Sequence, residues 1–310
     1  MEKRYIIGID QSTQGTKALL FDGVGHLLRR TDLPHRQIVN EKGWVSHDLN
    51  EIYRNTVQTV KTLVAESGVA PETIAGIGIS NQRETTAIWD KATGEPLEEA
   101  IVWQCGRASG IAQEIAEQGH AEEIREATGL QLSAYFPAAK MAWLLRNGGE
   151  ERQKRAADGK LCLGTIDSWL VYKLTGDHAF KTDFSNASRT QLFNLKTLAW
   201  DEKICEIFGI PACALARVCD SDAVYGTTTM EGLFSEPVPI CGVLGDSHAA
   251  LFGQGCLKPG MIKATYGTGS SLMMNIGDKP IQSSHGVVTS LAWGRGGKVD
   301  YVLELSLIHI

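Results

Sequence analysis

Three short segments carry residue types suited to handling phosphate. Asp10-Gln11-Ser12-Thr13-Gln14-Gly15-Thr16-Lys17 offers backbone N–H groups, hydroxyls, a flexible Gly15 and a cation, the equipment of a phosphate-cradling turn. Gly267-Thr268-Gly269-Ser270-Ser271 is a second small-residue turn, entered from Ala264-Thr265-Tyr266. In Gly245-Asp246-Ser247-His248 a carboxylate stands between an apolar run and a short helical pattern. Each has an ordinary reading: polar hairpins are common in proteins that bind nothing, and an Asp before a helix is often only an N-cap, contributing about 0.5–2 kcal/mol. Together, two phosphate turns and a carboxylate at a strand end are the parts of phosphoryl transfer, which depends almost entirely on positioning and charge stabilisation. Asp246 is then the candidate base for an attacking hydroxyl. Asp10 suits a Mg2+ shell of one or two carboxylates plus waters and phosphate oxygens.

A fourth cluster, Asn81-Gln82-Arg83-Glu84, sets a cation beside an anion on what reads as an exposed turn. Such pairs are usually solvated. In a cleft, Arg83 would donate and Glu84 accept, the complement of a vicinal diol. Trp103 and Tyr135 are core aromatics by default, or flat apolar walls for the carbon side of such a ligand. His248 reads as structural, because no metal-ligand spacing surrounds it. No G-x-x-x-x-G-K-[ST] loop, G-x-S-x-G elbow or G-x-G-x-x-G fingerprint supports a Walker-type, hydrolase or dinucleotide-binding reading.

The elements that must hold these residues alternate between strand and helix. Tyr5–Ile9 and Lys17–Asp22 read as strands around the polar turn 11–16. Leu49, Ile52, Val57, Val60 and Val64 give a helix with one apolar face, and a buried strand follows at Ile74–Ile79. Ile111–Ala127 and Ala138–Arg146 read as helices, Leu161–Thr165 as a strand, Trp169–Lys173 as a helix, and Pro239–Leu244 as a last buried strand. Ser247–Phe252 then forms a short helix closed by Gly253. The rhythm is that of a layered α/β protein. With 310 residues, 43% of them hydrophobic, more than one domain is expected.

A net charge of -6 provides no field for nucleic acid. Seven scattered cysteines without a C-x-x-C pair argue against a zinc or redox site and for a reducing cytoplasm. Without an 18-residue apolar run, no membrane span or membrane partner is expected.

Tyr135-Phe136-Pro137-Ala138-Ala139-Lys140-Met141-Ala142-Trp143-Leu144-Leu145-Arg146-Asn147 resembles the first signature of the FGGY carbohydrate kinases. Ser80–Thr86, Ile101–Cys105, Asn186–Thr190, Ala249–Gln254 and Thr265–Gly269 are similar to the glycerol kinases within that family. The resemblance implies a ribonuclease H-like fold of the actin, hexokinase and Hsp70 type. It divides the chain into a substrate-binding domain over 1–253, the beginning of an ATP-binding domain over 254–304 and an atypical tail, 305–310, with nothing to pack on. It further implies that Arg83, Glu84, Tyr135 and Asp246 hydrogen-bond a polyol walled by Trp103, with Ser247 at the adjoining position and Asp246 as base. Asp10 would serve Mg2+, while Thr13, Gln14, Gly15, Lys17 and Thr268 would lie against ATP phosphates. The implied reaction is ATP-dependent phosphorylation of a small polyol or sugar, most simply glycerol, by a possible homo-oligomer. Alternatives are a kinase for a longer polyol or ketose, of erythritol or xylulose type, and a polyol-binding fragment without activity.

The sequence departs from the glycerol kinase pattern at four places. Ser247 stands where glutamine is usual, Ser271 where an aromatic is expected, and Lys17 where arginine is usual. After Tyr301-Val302-Leu303-Glu304, family chains continue into the rest of a second domain, so a truncated or wrongly terminated frame is expected here.

Overall fold

The structure, a computed structural model, describes residues 2–266 and 270–307. Its centre is a six-stranded sheet in the order Gly226–Thr228, Val238–Gly245, Ile74–Asn81, Tyr5–Gln11, Gly15–Phe21, Leu27–Pro34. The three middle strands run parallel, and the pairings outside them are antiparallel. This is the ribonuclease H-like arrangement. Alternation fixes the register: Ile7 and Ile9 on one strand and Ala18 and Leu20 on the next are buried on one face. The helices Leu49–Ser67 and Ile166–Leu174 close over the sheet, tied by Trp169 Nε1 donating to the Leu49 carbonyl at 3.0 Å. Asp48 caps the long helix by accepting from Asn50 and Glu51, and Gly68, at φ 70°, ends it in the left-handed region that glycine adopts without strain.

A five-stranded sheet in the order Ile38–Val39, Val45–His47, Ala100–Ile101, Thr86–Asp90, Leu161–Thr165 carries a second core. Pro137–Asn147 packs here, with Pro137 in the first helical turn, where the missing N–H costs nothing. A four-stranded antiparallel sheet in the order Ile262–Tyr266, Ser270–Gly277, Lys298–Leu307, Val288–Arg295 completes the structure. Met273, Ala292, Trp293 and Val302 seat it on Leu251 of the helix Asp246–Gly253.

Three expectations change, and one strand is new. The helix read over Ile111–Ala127 is two helices, Ser109–Glu117 and Ala121–Thr128, separated by Gly119 at φ 89°. The strand Leu27–Pro34 is not anticipated: its first four residues are all exposed, and burial alternates only from Thr31 to Pro34. The last short helix is capped by Gln254 rather than closed by Gly253, and the left-handed glycine is Gly255, at φ 73°. The tail beginning at Leu305 is not free: Leu305, Ser306 and Leu307 continue a strand paired with Leu272, Ser271 and Ser270.

Candidate active site

Strand register brings the separate segments to one end of the sheet. Asp10 pairs with Ser80, and Ser80 with Leu244, so the carboxyl ends of three adjacent parallel strands lie level. Crevices beyond such strand ends are where open α/β sheets bind ligands. Asn81 and Asn186 exchange side-chain hydrogen bonds at 2.9 and 3.0 Å, and the Gly245 N–H donates to Ser185 Oγ at 2.9 Å. Asp183 accepts from Ser185, Asn186 and Ser221, fixing the short helix Phe184–Ala187 from which these contacts come.

On the phosphate side the turn is only Ser12-Thr13-Gln14, because both strands extend into the segment read as loop. Ser12 donates both its N–H and its hydroxyl to the Gly15 carbonyl at 2.9 Å. Gly15 is required by packing: a Cβ there would lie 2.7 Å from the Leu33 carbonyl oxygen and 3.0 Å from Pro34 Cα. Lys17 Nζ pairs with Asp10 Oδ2 at 2.8 Å, both about one-third exposed, and Ser80 Oγ donates to Asp10 Oδ1 at 3.3 Å. Gln82 joins the turn to the next strand through its N–H to the Gln11 carbonyl at 2.7 Å. Gln14 is exposed at the tip, and Thr268 lies outside the described residues.

Trp103 links the two sides. Its indole donates to Thr13 Oγ1 at 2.9 Å, and its backbone N–H donates to Thr85 Oγ1 at 3.2 Å. Its ring meets Tyr135 edge to face at 5.8 Å. Both rings are half-buried. Together with Gln104, Cys105 and Ser133 they line a cavity of about 470 Å3 that neither Arg83, Glu84 nor Asp246 borders. The charged groups are the better guide to chemistry than that hollow.

Arg83 and Glu84 do not form an exposed turn. They are 7% and 2% exposed, and each pairs with other residues. Arg83 donates through Nη1 and Nη2 to the two oxygens of Glu304, each at 2.9 Å, through Nε to Asp246 Oδ1 at 3.1 Å, and through Nη2 to Ser247 Oγ at 3.2 Å. Glu84 holds φ at 60°, in the left-handed region, and accepts from Arg189 Nε at 2.6 Å. Arg189 Nη1 also reaches Glu304 Oε2 at 2.9 Å, as an ion pair without hydrogen-bond alignment. Burial opposes the charge on Arg83, but Glu304, Glu84 and Asp246 outweigh it and hold its pKa well above the ordinary value. Burial likewise raises Glu304, but Arg189 and Arg83 win and hold it well below the carboxylate range.

Lys140, fully buried, donates to the carbonyls of Tyr135 and of Glu84, the latter at 3.4 Å, fastening both substrate-side residues to one helix. Burial lowers its pKa to about 7. Burial also raises the Tyr135 phenol, keeping it a neutral donor.

Asp246 is the first residue of its helix. Gly245 occupies the N-cap without a side-chain bond, so Asp246 is not the cap that its position suggested. Its side chain is 42% exposed. The Arg83 Nε–H and the Ser247 N–H both go to Oδ1, the second at 2.6 Å. Oδ2 therefore has no partner among the described residues. The surrounding protein raises its pKa by desolvation, opposed by Arg83 and reinforced by Glu84 and Glu304. His248, behind it, is buried and held neutral, with Nε2 3.3 Å from Ser290 Oγ.

Lys140, Arg189 and Glu304 belong to this cluster of contacts, and the motif reading gave them no role. Each had a faint signal: Lys140 is a charge inside the apolar run Ala138–Leu145, Arg189 follows a run of small polar residues, and Glu304 shares strand parity with buried Val302.

The fold and this cluster define a kinase-like ribonuclease H scaffold, and the chain belongs to the FGGY family of carbohydrate kinases, whose N-terminal domain matches residues 5–253. Among its relatives, glycerol kinase 2 of Thermotoga maritima is 46% identical over 304 residues, covering 98% of this chain and 61% of that protein. The glycerol kinase of Symbiobacterium thermophilum is 47% identical over 307 residues, covering 99% of this chain and 61% of that protein. The crystal structure of Plasmodium falciparum glycerol kinase with ADP superposes with a TM-score of 0.90 at 35% identity, covering 98% of this chain and 61% of that one. A ligand-bound xylulose kinase from Lactobacillus acidophilus shares the fold, with a TM-score of 0.86 at 23% identity over 98% of this chain and 60% of that one. The chain thus spans about three-fifths of the length of the curated relatives it matches.

Proposed function

We propose that this chain supplies the substrate-side half of a glycerol kinase-like enzyme, one that transfers the γ-phosphoryl of Mg-ATP to a terminal hydroxyl of glycerol. The observation that carries the reading is Asp246, whose side chain is 42% exposed and whose Oδ1 takes both local donors, while Oδ2 has no partner among the described residues. A carboxylate so held can accept the proton of a hydroxyl as that oxygen attacks phosphorus. Arg83 and Glu84 present a donor and an acceptor to the polyol, and Trp103 and Tyr135 wall its carbon face.

Asp10 fits Mg2+ in its donor chemistry, a hard carboxylate beside the Ser80 hydroxyl. Among the described residues no group of three or more His, Cys, Asp or Glu side chains is gathered for a metal. One carboxylate is nevertheless enough for an ion that also binds nucleotide phosphates. When bound, the ion would neutralise phosphate charge. Thr13 and Gln14 on the turn, with Gly15 and Lys17 on the strand after it, would face those phosphates, and Thr268 is proposed beside them. Residues 1–253 are read as the substrate-binding domain, with the sheet that follows as the beginning of an ATP-binding domain.

A second reading, a four- or five-carbon polyol or a ketose as substrate, is favoured by two small hydroxyl residues. Ser247 accepts from Arg83, and Ser271 accepts from Lys263 Nζ at 3.5 Å. Where a bulkier side chain would fill the wall, these leave polar space.

The test is Mg-ATP-dependent phosphorylation of glycerol, erythritol and xylulose by the protein carried to the length of its relatives. Asp246→Asn is expected to lower kcat by about 10²–10⁴ with the fold intact. Near-normal turnover in that variant removes Asp246 from the base role, and a clear preference for glycerol removes the second reading.

A further inference from the structure

Among the described residues, Glu304 forms ion pairs with both buried arginines, Arg83 and Arg189. It lies on the strand Lys298–Leu307, beyond the residues 5–253 that the family match covers, yet it is 1% exposed and closes on Arg83 from the opposite sheet. A guanidinium forks most favourably onto one carboxylate with two parallel bonds. Two carboxylates, Asp246 and Glu304, compete for the fork of Arg83, and Glu304 takes it.

We infer that Glu304, seconded by Arg189, is a positioning residue of the substrate site: it clamps Nη1 and Nη2 of Arg83, so that only Nε reaches Asp246 and Oδ2 of Asp246 takes no partner among the described residues. This rests on the reading of Asp246 as the proton acceptor and adds to it the group that keeps Asp246 available. Freed from Glu304, Arg83 would turn its fork onto Asp246, engage both carboxylate oxygens and lower the basicity of each towards a hydroxyl. Gly245 makes the clamp possible, because a Cβ there would sit 2.7 Å from Cγ and Cδ of Arg83. The polyol site is therefore assembled across two sheets, and residues 5–253 alone do not complete it.

The charged groups acting on Asp246 are Arg83 and Glu84 from the loop after Ile74–Asn81, and Glu304 and Lys263 from the four-stranded sheet, with neutral His248 on its own helix. Removing the Glu304 charge strips away a like charge and releases Arg83 towards Asp246. Both effects favour ionised Asp246, so its titration moves to lower pH.

The experiment follows the Asp246 carboxyl carbon by NMR titration of the 310-residue protein without ligand, in wild type, Glu304→Gln and Glu304→Asp. The Gln variant is expected to lower the Asp246 midpoint by roughly one unit or more. The Asp variant, which keeps the charge, should stay within a few tenths of wild type. An unmoved midpoint in folded Glu304→Gln, or equal shifts in both variants, overturns the inference. If Glu304→Gln does not fold, the wild-type arginine spectrum decides: a clamped Arg83 shows resolved, slowly rotating Nη protons, and an averaged signal overturns the clamp. Calorimetry with glycerol, erythritol and xylulose runs alongside. A wild type that binds none of them counts against the polyol reading alone, whereas wild-type binding that Glu304→Gln leaves undiminished counts against Glu304.

Discussion

The phosphate-side turn and the substrate-side cluster use the same kinds of residue in opposite surroundings. Lys17 and Asp10 are neighbours on one hairpin, seven residues apart and about one-third exposed. Arg83, Glu84, Arg189 and Glu304 are at most 7% exposed, and their contacts span 105 and 221 residues. A pair open to water is screened and contributes about 0–1 kcal/mol, whereas removing one member of a buried pair typically costs about 3–5 kcal/mol, because its partner stays behind as an uncompensated charge. The turn can therefore change side chains at little cost to the fold, as arginine to lysine at position 17 does relative to the family pattern. The cluster is a structural element as much as a binding surface.

The largest expected effect tests that difference directly. Arg189→Met leaves Glu84 without its 2.6 Å partner and Glu304 with one arginine. Urea unfolding should show a loss of about 3–5 kcal/mol. A loss below about 1 kcal/mol would mean that water reaches the cluster, and the contrast with the turn would disappear.

Lys140 sharpens the comparison through pH. Its folded pKa is lowered to about 7 from 10.5, so between those values the unfolded chain binds the extra proton and stability rises with pH. The slope is at most about 1.4 kcal/mol per pH unit. The stability of wild type minus that of Lys140→Met should climb from pH 7.5 to 9.5, before tyrosines titrate in the unfolded chain. A flat difference would show that the ammonium stays charged in place. Gly245→Ala comes next: its φ of -61° suits alanine, but the new methyl meets Arg83, whose far end is pinned. A cost of about 1–3 kcal/mol is expected from overpacking, read by the same denaturation.

What was legible in the sequence follows the same divide. The hairpin around Gly15 and the carboxylate after Pro239–Leu244 announce themselves through local chemistry, since glycine, hydroxyls and charge lie within a few residues of each other. Arg83, Glu84, Trp103 and Tyr135 stood out only as one of two readings each, and the FGGY resemblance implied the binding one. Local pattern could not show that Arg83 turns away from Glu84 towards a carboxylate 221 residues on, because that pairing is set by how two sheets pack. Nor could it show Lys140 as a cross-brace, since a lysine in a helix is ordinarily a solvated residue. Leu27–Pro34 escaped for another reason: its first half, Leu27, Leu28, Arg29 and Arg30, is exposed throughout, and a period of two begins only at Thr31 and Leu33, too short a run to read as a strand.

The smallest expected effect concerns the turn itself. Lys17→Met removes the 2.8 Å bond to Asp10 but leaves that carboxylate in contact with Ser80 and solvent, so stability should change by no more than about 1 kcal/mol. The same change deletes the cation that lies beside the proposed nucleotide phosphates and uncovers Asp10. In the protein carried to the length of its relatives, KM for Mg-ATP should rise while the affinity for glycerol, held by residues of the buried cluster, stays within about threefold. The pair of measurements separates the two regions: a variant that unfolds easily would place Lys17 in the structural class with Arg189. One that loses glycerol as readily as ATP would show that the turn and the cluster act as one site, coupled through the Trp103 indole on Thr13.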